Sequence, residues 1–123
     1  MKTIKILFTA AVLLLTAAIT NAQSDKTLRT IGIKKQTIKV SGVCSMDKRR
    51  IENAAFTVQG VKSAVWDEYT HVLTVTYSVF NSNAVDNIQT KISLAGNDTD
   101  KYRADNNVYQ NLPDCCHYQR RQS

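Results

Sequence analysis

The chain has 123 residues, a formal net charge of +6 and three cysteines. This length allows one compact domain but leaves too little chain for two. The positive charge is a mild excess, so it does not indicate nucleic-acid binding, and a solvated basic surface is the simplest interpretation.

Residues 1–22 have the layout of a secretory signal peptide. Lys2 and Lys5 precede an apolar run over residues 6–19, and small or polar residues follow as far as Ala22. The run is too short for a comfortable membrane span. We therefore expect cleavage after Ala22 and export to the periplasm, with no membrane attachment afterwards. Removing these 22 of the 123 residues leaves 101, and loss of the two lysines lowers the formal charge from +6 to +4.

The expected mature chain begins with a polar leader over residues 23–35, which has no firm period. Residues 37–43 alternate between apolar and polar positions, a pattern that is typical of a strand. From residue 46 the apolar positions follow helical spacing, with Ser45 in the N-cap position and Gly60 where the chain leaves the helix.

Two more strands and a second helix follow. Residues 61–66 and 72–77 alternate and are separated by a polar turn, which predicts a hairpin. Residues 83–95 carry one apolar stripe at helical spacing, and Gly96 gives a stop signal. Residues 99–103 are a weaker strand candidate.

The resulting order is β-α-β-β-α-β. Helices with a single apolar stripe suit packing on one face of an antiparallel sheet. We predict an α+β, ferredoxin-like sandwich over residues 36–104, with two helices on a four-stranded antiparallel sheet. A C-terminal tail over residues 105–123 follows this domain.

Three cysteines are an odd number for an exported protein. At most one intramolecular disulfide can form, which leaves one thiol for a metal, a reaction or an intermolecular bridge. Cys44 lies beside the predicted start of the first helix, whose dipole lowers the pKa of a nearby thiol. Basic side chains in the first turns act in the same direction, and these are Lys48, Arg49 and Arg50. The alternative is that Cys44 is a small buried hydrophobe.

The tail contains the other two cysteines, Cys115 and Cys116, followed by His117. Adjacent Cα atoms lie about 3.8 Å apart, which is shorter than the roughly 4.4 Å minimum of an ordinary disulfide. These two thiols are therefore better placed to bind something else. The 11 residues 104–114 could extend over about 35 Å, whereas crossing the sheet needs only about 20 Å. The tail is long enough to return to Cys44.

The pattern over residues 38–103 resembles the heavy-metal-associated domain of copper chaperones, metal-pumping ATPases and the periplasmic mercury-binding protein. The resemblance lies in a strand ending in Gly42-Val43-Cys44, a helix directly after it and the stretch GVKSAVWDEYTHVLTVTY. The second helix, followed by AGND, matches as well. In that family the loop M-x-C-x-x-C binds a soft ion through two thiolates.

This sequence departs from that loop at two positions. Cys44 matches the first cysteine, but Asp47 stands at the second, and Gly42 replaces the methionine. Met46 lies between the two ligand positions, where its sulfur could face an ion or pack. A carboxylate is a harder ligand than a thiolate and suits Zn(II) better than Cu(I) or Hg(II). The other interpretation of Asp47 is an acidic residue favoured by the helix dipole.

The resemblance implies a metal-binding protein that chelates copper, zinc or mercury or transfers it to a transporter or acceptor. The partner would dock on the basic residues Lys48, Arg49 and Arg50. The candidate metal ligands are Cys44, Cys115, Cys116, Asp47, Met46 and His117. The alternative is a degenerate domain with a structural or interaction role, in which Cys44 forms a disulfide with Cys115 or Cys116.

An enzyme is not predicted. Thiol-redox catalysis usually needs C-x-x-C, and Asp47 removes the second cysteine. We expect His71 to be an exposed histidine in the hairpin turn. Asn97 begins an N-glycosylation sequon, a short motif that is common by chance.

Overall fold

The order of helices and strands follows the predicted pattern through the second helix. The structure is a computed structural model that describes residues 32–122. The predicted signal peptide and residues 23–31 of the leader lie outside the described residues. The elements are β1 (Ile33–Lys39), α1 (Ser45–Phe56), β2 (Val61–Trp66), β3 (Val72–Ser78), α2 (Ala84–Ala95), α3 (Asn106–Gln110) and a 3₁₀ turn (Asp114–Cys116). None of the helices in this part of the chain is long and apolar enough to cross a bilayer.

The three strands form one antiparallel sheet in the order β1-β3-β2. This confirms the α+β class and the ferredoxin-like arrangement. The first strand begins at Ile33 instead of residue 37, because its whole length pairs with β3, from Ile33 opposite Ser78 to Lys39 opposite Val72. Residues 33–35, assigned to the leader, are therefore part of the sheet.

The predicted fourth strand is reduced to one isolated bridge between Val40 and Thr99, so the sheet has three strands instead of four. A tight turn replaces the strand, because the Thr99 N–H donates to the Tyr102 carbonyl. Asp100 then covers the end of β1: its N–H donates to the Lys39 carbonyl, and its carboxylate accepts from the Lys39 N–H. The bridge still lies on the outer side of β1, where a fourth strand would lie in this fold.

The core lies between the sheet and the two long helices. Alternate residues of the strands point into it, as the period of two requires. Each helix contributes the apolar stripe seen in its sequence. The buried members are Ile38, Val40, Ala64, Trp66, Leu73, Val75 and Tyr77 from the sheet side, and Ile51, Ala55, Val58, Ala84, Ile88 and Ile92 from the helix side.

The start of α1 differs from the prediction in a way that matters for the site. Cys44 is the N-cap, with extended backbone angles, and Ser45 is already helical. The prediction that Ser45 caps the helix is therefore wrong. The Cys44 carbonyl accepts the hydrogen bond of Lys48 N–H and so begins the helical ladder. Its side chain consequently lies at the N-terminal end of the helix.

The tail packs back onto the domain beside the end of α2. Gly96 ends α2 with a φ of 112°, and Leu112 packs against it so closely that a Cβ at Gly96 would lie 2.9 Å from Leu112 Cδ2. Leu112, Cys116 and Tyr118 form a second buried cluster, on which Cys44 and Tyr109 pack. The tail thus has a small core of its own.

Three residues, which we call the tail latch, fix the end of this segment: Asp98, Tyr118 and Arg120. The Arg120 guanidinium binds both carboxylate oxygens of Asp98, at 2.7 and 2.9 Å. The Tyr118 hydroxyl donates to the Gly96 carbonyl and accepts from the Asp98 N–H. Burial alone would raise the pKa of Asp98, but the hydrogen bonds from Arg120 and from the Ala104 N–H outweigh it and hold that pKa below its ordinary value.

We predict that Asp98→Asn lowers the free energy of unfolding by about 3 kcal/mol at neutral pH, because it leaves a buried guanidinium without its ionic partner. The folded-state pKa of Asp98 is depressed, so the contribution of its charge is complete above the unfolded value of about 3.9. That contribution is lost as the pH falls through the lower folded value. Urea unfolding followed by Trp66 fluorescence should show the difference between variant and parent shrinking below about pH 4.

The exposed ion pair between Asp86 and Lys101 provides the matched control, since its side chains are 43% and 58% exposed. Asp86→Asn should lower the free energy of unfolding far less than Asp98→Asn does, because water screens an exposed ion pair. Equal losses for the two variants would show that the latch contributes no more than a surface pair.

Candidate metal centre

The loop that presents Cys44 is held against the core by Trp66. The indole N–H donates to the Val40 carbonyl over 3.0 Å, and its ring covers Gly42. A Cβ at Gly42 would lie 2.9 Å from two ring carbons of Trp66 and 3.0 Å from Cβ of Asp47. This explains why Gly42 stands where the family loop has a methionine, because a methionine side chain would have no room beside Trp66.

The tail brings both of its cysteines to Cys44. Sγ of Cys44 lies 3.3 Å from Sγ of Cys116, and the sulfurs of Cys115 and Cys116 are 3.8 Å apart. All three sulfurs lie within 4.8 Å of one another. Cys116 is fully buried, Cys44 is partly buried and Cys115 is exposed. The sequence showed only that the tail is long enough to reach Cys44. In the structure the tail does reach it.

Asp47 is fully buried, and its two oxygens accept four hydrogen bonds. One oxygen accepts from the Val43 N–H at 2.9 Å and from the Cys44 thiol at 3.7 Å. The other accepts from Arg50 at 2.7 Å and from the Asn97 amide at 3.0 Å. These contacts make Asp47 a positioning residue for Cys44. Its predicted role as a ligand would require it to give up some of them.

Arg50 joins the carboxylate to the thiol cluster. One nitrogen donates to Asp47, and the other lies 3.6 Å from Sγ of Cys116. Burial raises the pKa of the Cys116 thiol to about 11; hydrogen bonding from Arg50 opposes this rise, while Cys44 and Asp47 add to it. In the metal-free protein at neutral pH Cys116 is therefore a thiol, and an ion that binds it must displace its proton.

The other predicted ligands are not part of the thiol cluster. Nε2 of His117 donates to the Tyr109 carbonyl over 3.1 Å, and its ring packs against that of Tyr109. Met46 lies in the first turn of α1 and is 42% exposed. Among the described histidine, cysteine and acidic residues, the group that could hold a metal contains only the three cysteines. His71 is exposed in the hairpin turn, as predicted, and its ring stacks on Trp66.

Two of the three basic residues expected to receive a partner have internal contacts instead. Lys48 pairs with Glu52 and donates to the Trp66 carbonyl, so it ties α1 to the end of β2. Arg50 is held by Asp47 and Cys116. Arg49 is exposed, and the side chains of Val43 and Met46 beside it are exposed as well.

Asn97 has a structural role that conflicts with glycosylation of the folded chain. It is fully buried, and its amide group donates to the Ser41 carbonyl and to Asp47. A sugar attached to this nitrogen would have to replace both contacts. Within the described residues, Asn97 Oδ1 is a buried oxygen without a hydrogen-bond partner.

The supporting residues Asn97, Asp98, Tyr118 and Arg120 were missed at the level of the sequence. Their pairings join positions about 20 to 50 residues apart, from Asp98 with Tyr118 to Asp47 with Asn97. The one available signal was Tyr118, two positions after the second cysteine of the tail, since an aromatic residue there suggests packing on the domain.

The cluster has the dimensions of a three-thiolate site. Metal–sulfur bonds of about 2.3 Å place three thiolates around one ion about 4 Å apart. The sulfur separations of 3.3 and 3.8 Å, and the upper limit of 4.8 Å, span that value. The site requires little movement to close on a soft ion.

No family model and no curated protein matches the chain. Several solved structures do match it. The CopZ metallochaperone is 25% identical with a TM-score of 0.50, and the alignment covers 54% of this chain and 98% of that one. A candidate copper-ion-binding protein from Bacillus anthracis strain Ames is 21% identical, with a TM-score of 0.48 and coverage of 55% and 94%. A mutant of ZiaAN is 31% identical, with a TM-score of 0.46 and the same coverages.

The fold similarity rests on the CopZ metallochaperone, nearly all of which aligns with about half of this chain. In this chain the thiol cluster includes Cys44, which lies in the loop between β1 and α1. The described part of the chain therefore contains a domain that resembles the heavy-metal-associated domain in fold, with one cysteine in the loop after β1.

Proposed function

We propose that this protein is an exported heavy-metal-binding protein that holds a copper, zinc or mercury ion and passes it to an acceptor in the periplasm. The observation that carries the proposal is the meeting of three sulfurs within 4.8 Å of one another, drawn from two segments far apart in the chain. The likeness to a metallochaperone supports transfer as well as storage.

The burial of the three thiols suggests an order of events. Cys115 is exposed and meets an incoming ion first, while Cys44 and Cys116 form the inner pair, 3.3 Å apart. Ligand exchange then moves the ion inward as each thiol loses its proton. In the reverse direction, Cys115 is the ligand that an acceptor thiolate can displace most easily.

The surface around the site gives the acceptor a smaller basic region than the sequence suggested. Arg49 supplies an exposed positive charge, and the apolar side chains of Val43 and Met46 flank the loop. An acceptor with an acidic rim and a small apolar centre would fit this surface. Lys48 and Arg50 act through the loop, because their charges are already paired.

We predict that the reduced protein binds one soft ion per chain and that Cys44→Ser and Cys116→Ser each weaken binding by more than 100-fold. This exceeds the roughly 10- to 100-fold cost of losing an outer-shell partner. Anaerobic titration with Cu(I) and Zn(II) against a chromophoric chelator measures the affinities.

Ser45→Ala is the control variant, since Ser45 is exposed and adjacent to Cys44 but outside the cluster. Its affinity should equal that of the parent. Binding that is indifferent to all three cysteines would contradict the proposal.

A second prediction concerns Asp47. Asp47→Asn should lower metal affinity by about 10- to 100-fold, as expected for an outer-shell residue, while the bound ion keeps sulfur neighbours only. X-ray absorption at the metal edge of parent and variant makes this measurement. An oxygen neighbour present in the parent and absent in the variant would instead establish Asp47 as a ligand.

The second candidate function is a structural or interaction domain pinned by a disulfide. The 3.3 Å contact between the sulfurs of Cys44 and Cys116 favours it, because an oxidant that removes two electrons and two protons would join these thiols. The bond would close a loop of about 70 residues and stabilise the fold by about 4 kcal/mol in the chain-entropy description.

Intact-mass measurement after alkylation, on protein isolated from its own compartment, distinguishes the two functions. The metal-binding proposal predicts three alkylated thiols once metal is removed. A single alkylated thiol, with Cys44 and Cys116 protected, would favour the structural function.

A further inference from the structure

The thiol cluster offers three donors and lacks a fourth from the described part of the chain. His117 is exposed with one ring nitrogen bound to the Tyr109 carbonyl, and Asp47 is already engaged in four hydrogen bonds. A tetrahedral Zn(II) ion would therefore have to complete its shell with water or with a partner's ligand. A centre that forms three bonds and no more would be satisfied by this protein alone.

The charges around the cluster also favour a centre that forms three bonds. Asp47 and Arg50, the charged side chains that contact the sulfurs of Cys44 and Cys116, form an ion pair with each other, so their charges cancel. Three thiolates with a monovalent ion carry a net charge of −2, and with a divalent ion −1, by formal count. A trivalent centre makes the group neutral. Since Cys116 is fully buried, a neutral group avoids the cost of burying a net charge.

Resting on the metal-binding function proposed above, we infer that the same three cysteines bind trivalent arsenic or antimony, taken up as the neutral oxyacid. These elements form three bonds to sulfur in a pyramid and keep a lone pair in place of a fourth ligand. Cys44, Cys115 and Cys116 provide that number of donors, from partly buried, exposed and fully buried positions.

The reaction is a condensation without change of oxidation state. Each thiol gives its proton to one hydroxyl of the oxyacid, the bond from the central atom to that oxygen breaks, and a bond to sulfur forms. Three thiols and one molecule of arsenous acid thus give the trithiolate and three molecules of water. Reactants and products are all neutral. Binding therefore adds no charge to the site and leaves no free thiolate in the product.

The accessibility of the three sulfurs sets the order of the condensation. Cys115 is exposed and condenses first, which tethers the arsenic beside the inner pair. The two inner sulfurs are 3.3 Å apart, and each then displaces one further hydroxyl. The Cys116 sulfur is 3.8 Å from that of Cys115, so little movement of the tail is needed.

Sodium arsenite added to the reduced full-length chain tests the inference. We expect one arsenic per chain, loss of all three thiols from titration with a disulfide reagent, and an X-ray absorption spectrum with three sulfur neighbours and no oxygen. Cys115→Ser should leave an oxygen neighbour and lower arsenite affinity by more than about 100-fold, which exceeds the roughly 10- to 100-fold cost of losing an outer-shell partner. Ser45→Ala is the matched control and should behave as the parent.

Parallel titration with Cu(I) and Zn(II) separates this inference from the function on which it rests. Binding of these ions without arsenite binding, or arsenite binding that consumes only two thiols, would overturn the inference and leave the proposed function standing. Failure of the protein to bind any of the three would overturn both.

Discussion

Asp47 is a carboxylate removed from water, and an ionised group in that position is costly unless hydrogen bonds and an opposite charge replace its hydration. Its partners come from three separate parts of the fold: Val43 and Cys44 in the loop, Arg50 in α1, and Asn97 after α2. Satisfying one buried group therefore fixes the loop, the helix start and the segment that leads into the tail. Asp47 is thus a structural centre of this part of the fold.

Because Asp47 stands where a second cysteine could lie, the second sulfur has to come from the tail. With Asp47 committed to hydrogen bonds, the loop by itself presents a single sulfur, and a soft ion held by one thiolate would bind weakly. Cys116 supplies the second sulfur at 3.3 Å, and Arg50 contacts both the carboxylate and this sulfur. The tail latch is the other half of the arrangement, because Tyr118 and Arg120 hold the chain two and four positions after Cys116.

The fold was largely predictable because its signals are local. Strand alternation, the stripe of Ile88 and Ile92, and Gly96 as a helix stop all act within a few residues, and each is present in the structure. The predicted fourth strand is absent because the Thr99 N–H bonds to the Tyr102 carbonyl in a turn, and the Asp100 carboxylate accepts the Lys39 N–H that a neighbouring strand would use. The site was only half predictable: the cysteines could be named, but the pairing of Asp98 with Arg120 has no local signature.

The same long-range construction links metal binding to the docking of the tail. The sulfurs of Cys44 and Cys116 belong to residues 72 positions apart, so a bound ion cross-links the tail to the domain. Any ligand that binds only the docked arrangement stabilises it by mass action. Conversely, the latch and the packing of Leu112 on Gly96 hold the cysteines together before an ion arrives, which lowers the ordering cost of binding. Two cysteines in one loop are held together by local geometry alone. In this chain the tail holds the cysteines together, so the stability of the docked tail and the metal affinity must change together.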